Sequence, residues 1–120
     1  MTPEEVVRAE LDAWARLDIE AIMSHLTTDI VWENVPMGPW TGYEEVRSES
    51  THHLGQMESF EAEILNLATS GDVVLTERID HFGFGGEVVH LRIMGAHEVT
   101  GNKIRAWRDY FDMPKGGNPT

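Results

Sequence analysis

From Phe60 onward the sequence is patterned for strands. The segments Phe60–Ala68, Asp72–Phe82, Glu87–Thr100 and Lys103–Asp112 carry β-branched residues or an alternation of apolar and polar ones. Only short turn signals separate them: Ser70-Gly71-Asp72, then Gly83-Phe84-Gly85-Gly86, then Gly101-Asn102. Strands joined so closely pair antiparallel, because parallel neighbours need a crossover of about a dozen residues or more. The later part of the chain is therefore committed to an antiparallel meander, whatever precedes it.

What precedes it reads as helix. Thr2 suits an N-cap, Pro3 the first turn, and Glu4 and Glu5 the positive end of a helix dipole, while Val7, Leu11, Trp14 and Leu17 recur at helical spacing over residues 3–17. Asp18 caps a second, short helix with Ile22 and Leu26 on its buried side, ended by Thr27-Thr28-Asp29. A short strand, Ile30–Val35, stops at Pro36, Gly38 and Pro39. Thr41-Gly42-Tyr43-Glu44 has the spacing of a capping box and opens a third helix, Gly42 to about Leu54. Helices first and a meander second is an α+β order, in which the helices cover one face of a curved sheet and enclose a pocket against it. At 120 residues there is room for one domain, residues 1–120, and the tail Pro114 to Thr120 is expected to be loose.

Charge narrows the partners. Against 9 Lys and Arg stand 21 Asp and Glu, a net of -12, which argues against duplex nucleic acid and anionic membrane surfaces. With no cysteine there is no disulfide framework, thiolate nucleophile or cysteine metal site. The start lacks the basic and apolar regions of a signal peptide, and no apolar run is long enough to span a bilayer, so a soluble cytoplasmic protein is expected. Of the 21 acids, 16 lie in residues 1–77 with only 3 bases, so the remainder is close to neutral.

The candidate chemistry sits in that near-neutral part. Period two places Val74, Thr76, Arg78, Asp80 and Phe82 on one face of their strand, and Val73, Leu75, Glu77, Ile79 and His81 on the other. In the last strand one face carries Arg105, Trp107, Asp109 and Phe111, whereas Asp112 reads as a surface charge. An Arg and an Asp two apart are ordinarily a solvated surface pair. Asp109 is different, because a carboxylate flanked by two large aromatics is desolvated and its pKa rises unless a cation or hydrogen bonds compensate. The six histidines do not suggest a metal site. His52 and His53 diverge on a helix, His81 has no matched carboxylate in sequence, and His25, His90 and His97 are isolated, so surface or satisfied histidines are the reading. No Gly-x-Ser-x-Gly supports a serine nucleophile.

Two segments, Leu75-Thr76-Glu77-Arg78-Ile79-Asp80 and Trp107-Arg108-Asp109-Tyr110-Phe111-Asp112, resemble the signature strands of the limonene-1,2-epoxide hydrolase family, and the order of elements is similar over nearly the whole chain. The resemblance implies an α+β fold with the N-terminal helices packed in the concave face of a curved, mainly antiparallel mixed sheet. That is a cone-shaped, cystatin-like half barrel shared with ketosteroid isomerase and nuclear transport factor. It also implies that Arg78 and Asp80 match the family's arginine and acid, and Asp109 its base. The family holds the attacking water with a Tyr-x-Asn pair on an early strand. Here that stretch is Trp32-Glu33-Asn34, so Asn34 matches and Trp32 departs.

On this reading the enzyme adds water to a small apolar epoxide, terpene-like or cyclic, giving a vicinal diol in one step with no metal and no cofactor. Asp109 is the ionised base and Asp80 the protonated acid, Arg78 bonds both, and Asn34 accepts one hydrogen of the water. The expected substrate wall comprises Trp32, Met37, Trp40, Phe82, Leu91, Ile93, Trp107 and Phe111, beside Val89, although aromatics at such spacings are ordinarily core. Homodimerisation is expected through the outer sheet face, read as Ile104, Ala106, Arg108 and Tyr110. Two alternatives stand beside this reading: an isomerase or cyclase using a single Asp base, and a non-catalytic pocket that binds a lipophile.

Overall fold

In the computed structural model, which describes residues 1–112, the first element is the helix α1, Pro3–Ala15. The Thr2 side chain accepts from the Glu5 backbone, and Glu5 answers to the Thr2 backbone, completing a capping box. There follow α2 (Ile19–Ser24), β1 (Leu26–Val35), β2 (Met37–Thr41), α3 (Tyr43–Gln56), β3 (Ser59–Ser70), β4 (Val73–Phe84), β5 (Glu87–Thr100) and β6 (Lys103–Tyr110). The strands form one six-stranded sheet in the order β2-β1-β6-β5-β4-β3. Strands β3 to β6 pair antiparallel as a meander, whereas β1 joins β6 in parallel, so the sheet is mixed. The three helices pack against one face, and α1 contributes Val6, Val7, Leu11 and Trp14 to the core between the layers. No helix of the described residues is long and apolar enough to cross a membrane. The expected loose tail, residues 114–120, lies outside the described residues.

Several sequence expectations need correction. Leu17 lies beyond α1 in the left-handed region (φ 53°) and is half-buried. Leu26 and Thr27-Thr28-Asp29 belong to β1 rather than to the end of α2, and the Pro- and Gly-containing stretch after Val35 forms the edge strand β2. Leu26 pairs with Ile104 of β6, and β2 pairs with β1 from Val31 to Asn34, long-range contacts that no local pattern announces. The capping box expected at Thr41–Glu44 does not form. Gly42 is the N-cap at φ 91°, a conformation that favours glycine, and Glu45 rather than Glu44 accepts from the Thr41 backbone.

The most consequential correction is in β6. Ile104, expected on the outer face, is fully buried. Register jumps between the pairs Glu98–Ala106 and Val99–Ile104, so β6 is bulged there, and one extra residue exchanges the faces. Arg105 therefore leaves the face of Trp107, on which period two put it, and donates to Asp72, Thr100 and the Val99 carbonyl. Beyond the bulge the alternation resumes, with Trp107 and Asp109 buried and Tyr110 exposed.

Candidate active site

Strand β4 carries Thr76, Arg78, Asp80 and Phe82 on the face covered by the helices, and β6 presents Trp107 and Asp109 on that face from two strands away. Strand β5 lies between, and Gly95 is its residue opposite both Thr76 and Asp109. A Cβ on Gly95 would lie 2.6 Å from Arg78 Nη1, 2.6 Å from Asp109 Oδ1 and 2.9 Å from Thr76 Oγ1. The missing side chain thus opens the slot through which the guanidinium crosses β5.

Arg78 is 1 % exposed, and each of its N–H groups has an acceptor. Nε and Nη2 donate to Asp80 Oδ1 and Oδ2 at 3.0 and 2.9 Å. Nη1 and Nη2 donate to Asp109 Oδ1 and Oδ2 at 3.1 and 2.9 Å, and Nη1 also donates to Thr76 Oγ1 at 3.0 Å. Burial works against the guanidinium, but the Asp109 and Asp80 carboxylates outweigh it and hold its pKa above the ordinary arginine value. A charge removed from water without such pairing is strongly destabilising, so this completeness is what makes the burial tolerable.

The two carboxylates are not equivalent. Asp109 accepts from two Arg78 nitrogens and also from Trp107 Nε1, at 2.9 Å. Asp80 accepts from Arg78 alone. Burial raises the Asp80 pKa, Arg78 opposes the rise, and the neighbouring Asp109 charge adds to it. Hydrogen bonds to the charged form favour ionisation. The indole donor is thus the difference between two carboxylates that otherwise share one guanidinium.

A second layer holds the first. His97 is fully buried with Nε2 3.1 Å from Thr76 Oγ1, and its ring packs on Trp107 at 5.0 Å between centroids. Burial pushes its pKa down to about 3, with Asp109 partly opposing, so it is neutral at working pH. Asp109, Arg78, Thr76, His97 and Trp107 form a closed ring of contacts. Neither Thr76, His97 nor Gly95 stood out in the sequence as functional. The isolated glycine within a strand pattern was the one available signal, since it marks a close approach.

Above the carboxylates opens a cavity of about 190 Å³. Asp80, Asp109, Asn34, Trp32, Met37, Phe82, Leu91, Ile93, Trp107 and Phe111 all line it, so these expected residues converge. Val89 joins them, and Asn34 is the register partner of Asp109 across the parallel β1–β6 pair. Arg78 lies beneath the carboxylates. Trp40 does not line the cavity; its ring lies 5.0 Å from that of Trp32. The helices and β3 supply wall residues that alternation within β4 to β6 could not reveal, among them Trp14, Met57 and Phe60. His53, read as a surface or satisfied histidine, also lines the cavity, its ring 5.3 Å from Trp32. His81, without a carboxylate in sequence, meets Glu63 at 2.9 Å and His90 at 2.6 Å. Among the described residues no three His, Asp or Glu are grouped so as to hold a metal ion.

Residues 1–115 match the family model of the limonene-1,2-epoxide hydrolase catalytic domain. Epoxide hydrolase EphG of Mycobacterium tuberculosis (strain ATCC 25618 / H37Rv) is 33% identical over 107 residues, covering 89% of this chain and 71% of that one. A solved structure of an M. tuberculosis LEH-like epoxide hydrolase is 32% identical with a TM-score of 0.82, covering 90% of this chain and 80% of that one. A protein with a ketosteroid isomerase-like fold from Catenulispora acidiphila DSM 44928 also reaches 0.82, at 20% identity and 94% and 88% coverage. That likeness is one of fold alone.

Proposed function

The chain belongs to the limonene-1,2-epoxide hydrolase family, and from that premise we propose that it adds water in one step to an apolar, terpene-like or cyclic epoxide. The observation that carries the mechanism is the unequal pairing of two buried carboxylates on one arginine: Asp109 has a donor that Asp80 lacks.

Opening an epoxide with water requires a base for the water and an acid for the departing oxygen. Asp109, ionised, takes a proton from a water lying between it and Asn34. The water oxygen forms the new bond to an epoxide carbon as the carbon–oxygen bond breaks. Asp80 gives its proton to the released oxygen, and a diol results. The two carboxylates have then exchanged protonation states, and Arg78 stays bonded to both throughout. Because the base acts on water and not as a nucleophile, no ester forms on the enzyme and the scheme calls for no cofactor. The apolar wall suits a hydrophobic epoxide and keeps bulk water from the acid. An isomerase with a single base would leave Arg78 and the second carboxylate without a task.

The test is a single turnover in ¹⁸O-labelled water with a panel of terpene, cyclic and aromatic epoxides. Label is expected in the diol at once. Label appearing first in an enzyme carboxylate would defeat the one-step scheme, and no diol from any member would defeat the substrate class.

A further inference from the structure

Beside the substrate cavity, across Trp32, four buried polar atoms without protein partners belong to residues that line one further cavity. They are Glu10 Oε2, Trp14 Nε1, Trp32 Nε1 and Ser50 Oγ. All four residues line one internal cavity of about 10 Å³, closed on its other sides by Ile22, Leu26, Ile30 and Val46 from α2, β1 and α3 and by Trp107. Glu10 and Ser50 are each 1 % exposed. The other Glu10 oxygen is engaged by His25 Nδ1 at 3.1 Å.

Leaving one such group unpaired costs about 1–3 kcal/mol, and four around one cavity is a concentration that a shared partner removes. We propose that this cavity is a binding site for a single water molecule. Its size is that of one water, about 10–15 Å³ on this measure, and its walls are polar where a water needs them to be. The stoichiometry fits as well. A water accepts twice, here from the two indole N–H groups, and donates twice, here to Glu10 Oε2 and Ser50 Oγ.

The site decides what Trp32 can do. Trp32 lines both cavities, but its Nε1 is closed to solvent, so it does not face the open one. Its N–H is committed to the inner water, which fixes the ring from behind. This second step rests on the hydrolase reading: the attacking water is then held by Asn34 and Asp109, and Trp32 acts as a positioned floor beneath the substrate.

A high-resolution crystal structure tests the first step. One density peak is expected within hydrogen-bond distance of Glu10 Oε2 and at least two of the three other atoms. A cavity without density, or the four atoms bonded directly to one another, overturns the site. This measurement needs no turnover, so its failure is distinct from a failure of the hydrolase reading. Trp32→Phe tests the second step by keeping a ring and deleting the N–H. A several-fold rise in KM with kcat changed less than roughly twofold is expected, because the floor loosens while the attacking water keeps its partners. A kcat fall of about tenfold or more at unchanged KM would show that the indole N–H touches the attacking water, and would overturn it.

Discussion

Trp32 separates two buried polar clusters that handle the same physical problem in opposite ways. In the Asp80–Arg78–Asp109 cluster every guanidinium N–H and all four carboxylate oxygens have protein partners. In the Glu10–Ser50 cluster one carboxylate oxygen, one hydroxyl and two indoles have none. The first cluster keeps its charged groups in the interior by pairing them with one another, which fixes each atom in place. The second lowers the burden on its carboxyl by protonation, since burial lifts Glu10 to about 7 while His25 pulls the other way. Pairing of the first kind supplies the fixed geometry that acid–base chemistry needs. Burial of the second kind leaves a titrating group whose effect falls on stability.

Three perturbations would break or sharpen this contrast. The largest effect is expected from Asp80→Asn and Asp109→Asn. Each should lower turnover by about 10²–10⁴-fold while circular dichroism shows the fold retained, because each removes one of the two proton-transfer partners. Substantial residual diol formation in either would reverse or dissolve the assigned roles. Next is Gly95→Ala, remote from the substrate but beneath the guanidinium. Its methyl would meet Arg78 and Asp109 at 2.6 Å, so the paired set must shift. Turnover should fall about 10²-fold, the size expected for a displacement near 1 Å, with a lowered Tm. A wild-type rate would show that the slot is not needed.

The smallest effect belongs to the unpaired cluster. The Glu10 pKa is raised from 4.5 to about 7 by burial, so the folded chain keeps a proton that the unfolded chain releases. The associated stability is complete below 4.5 and is lost as pH rises through about 7. Glu10→Gln should flatten that decline, by at most roughly 3 kcal/mol, in urea unfolding measured across this range. An equal decline in both proteins would remove Glu10 as its cause.

Much of the paired cluster was legible in the chain. Short turns leave β4 and β6 no alternative to antiparallel neighbours, alternation then groups Arg78 with Asp80 on one face and Asp109 with Trp107 on another, and the family resemblance marked those faces as the covered ones. Alternation failed at Ile104 and Arg105, since a bulge is set by what the neighbouring strand offers and has no mark of its own in β6. The unpaired cluster was less visible. Glu10 lies between Val7 and Trp14 on the apolar stripe of α1, a placement that hints at burial, but Ser50 and Trp32 reach it from α3 and β1. The Trp40 placement failed for a related reason: that stretch pairs with β1 as a strand and sets its indole against Trp32.

By itself the sequence determined the α+β order, the meander and the face on which each charged residue of β4 would stand. These follow from local periodicity and turn chemistry, which act over a few residues. Only the tertiary structure decided that β1 joins β6 in parallel with Asn34 opposite Asp109. It also set a glycine beneath the guanidinium, gave Asp109 its indole donor, and brought four unpaired atoms around one cavity. Donor counts and desolvation depend on groups that meet across strands and layers, and those meetings are fixed by packing that no single segment encodes.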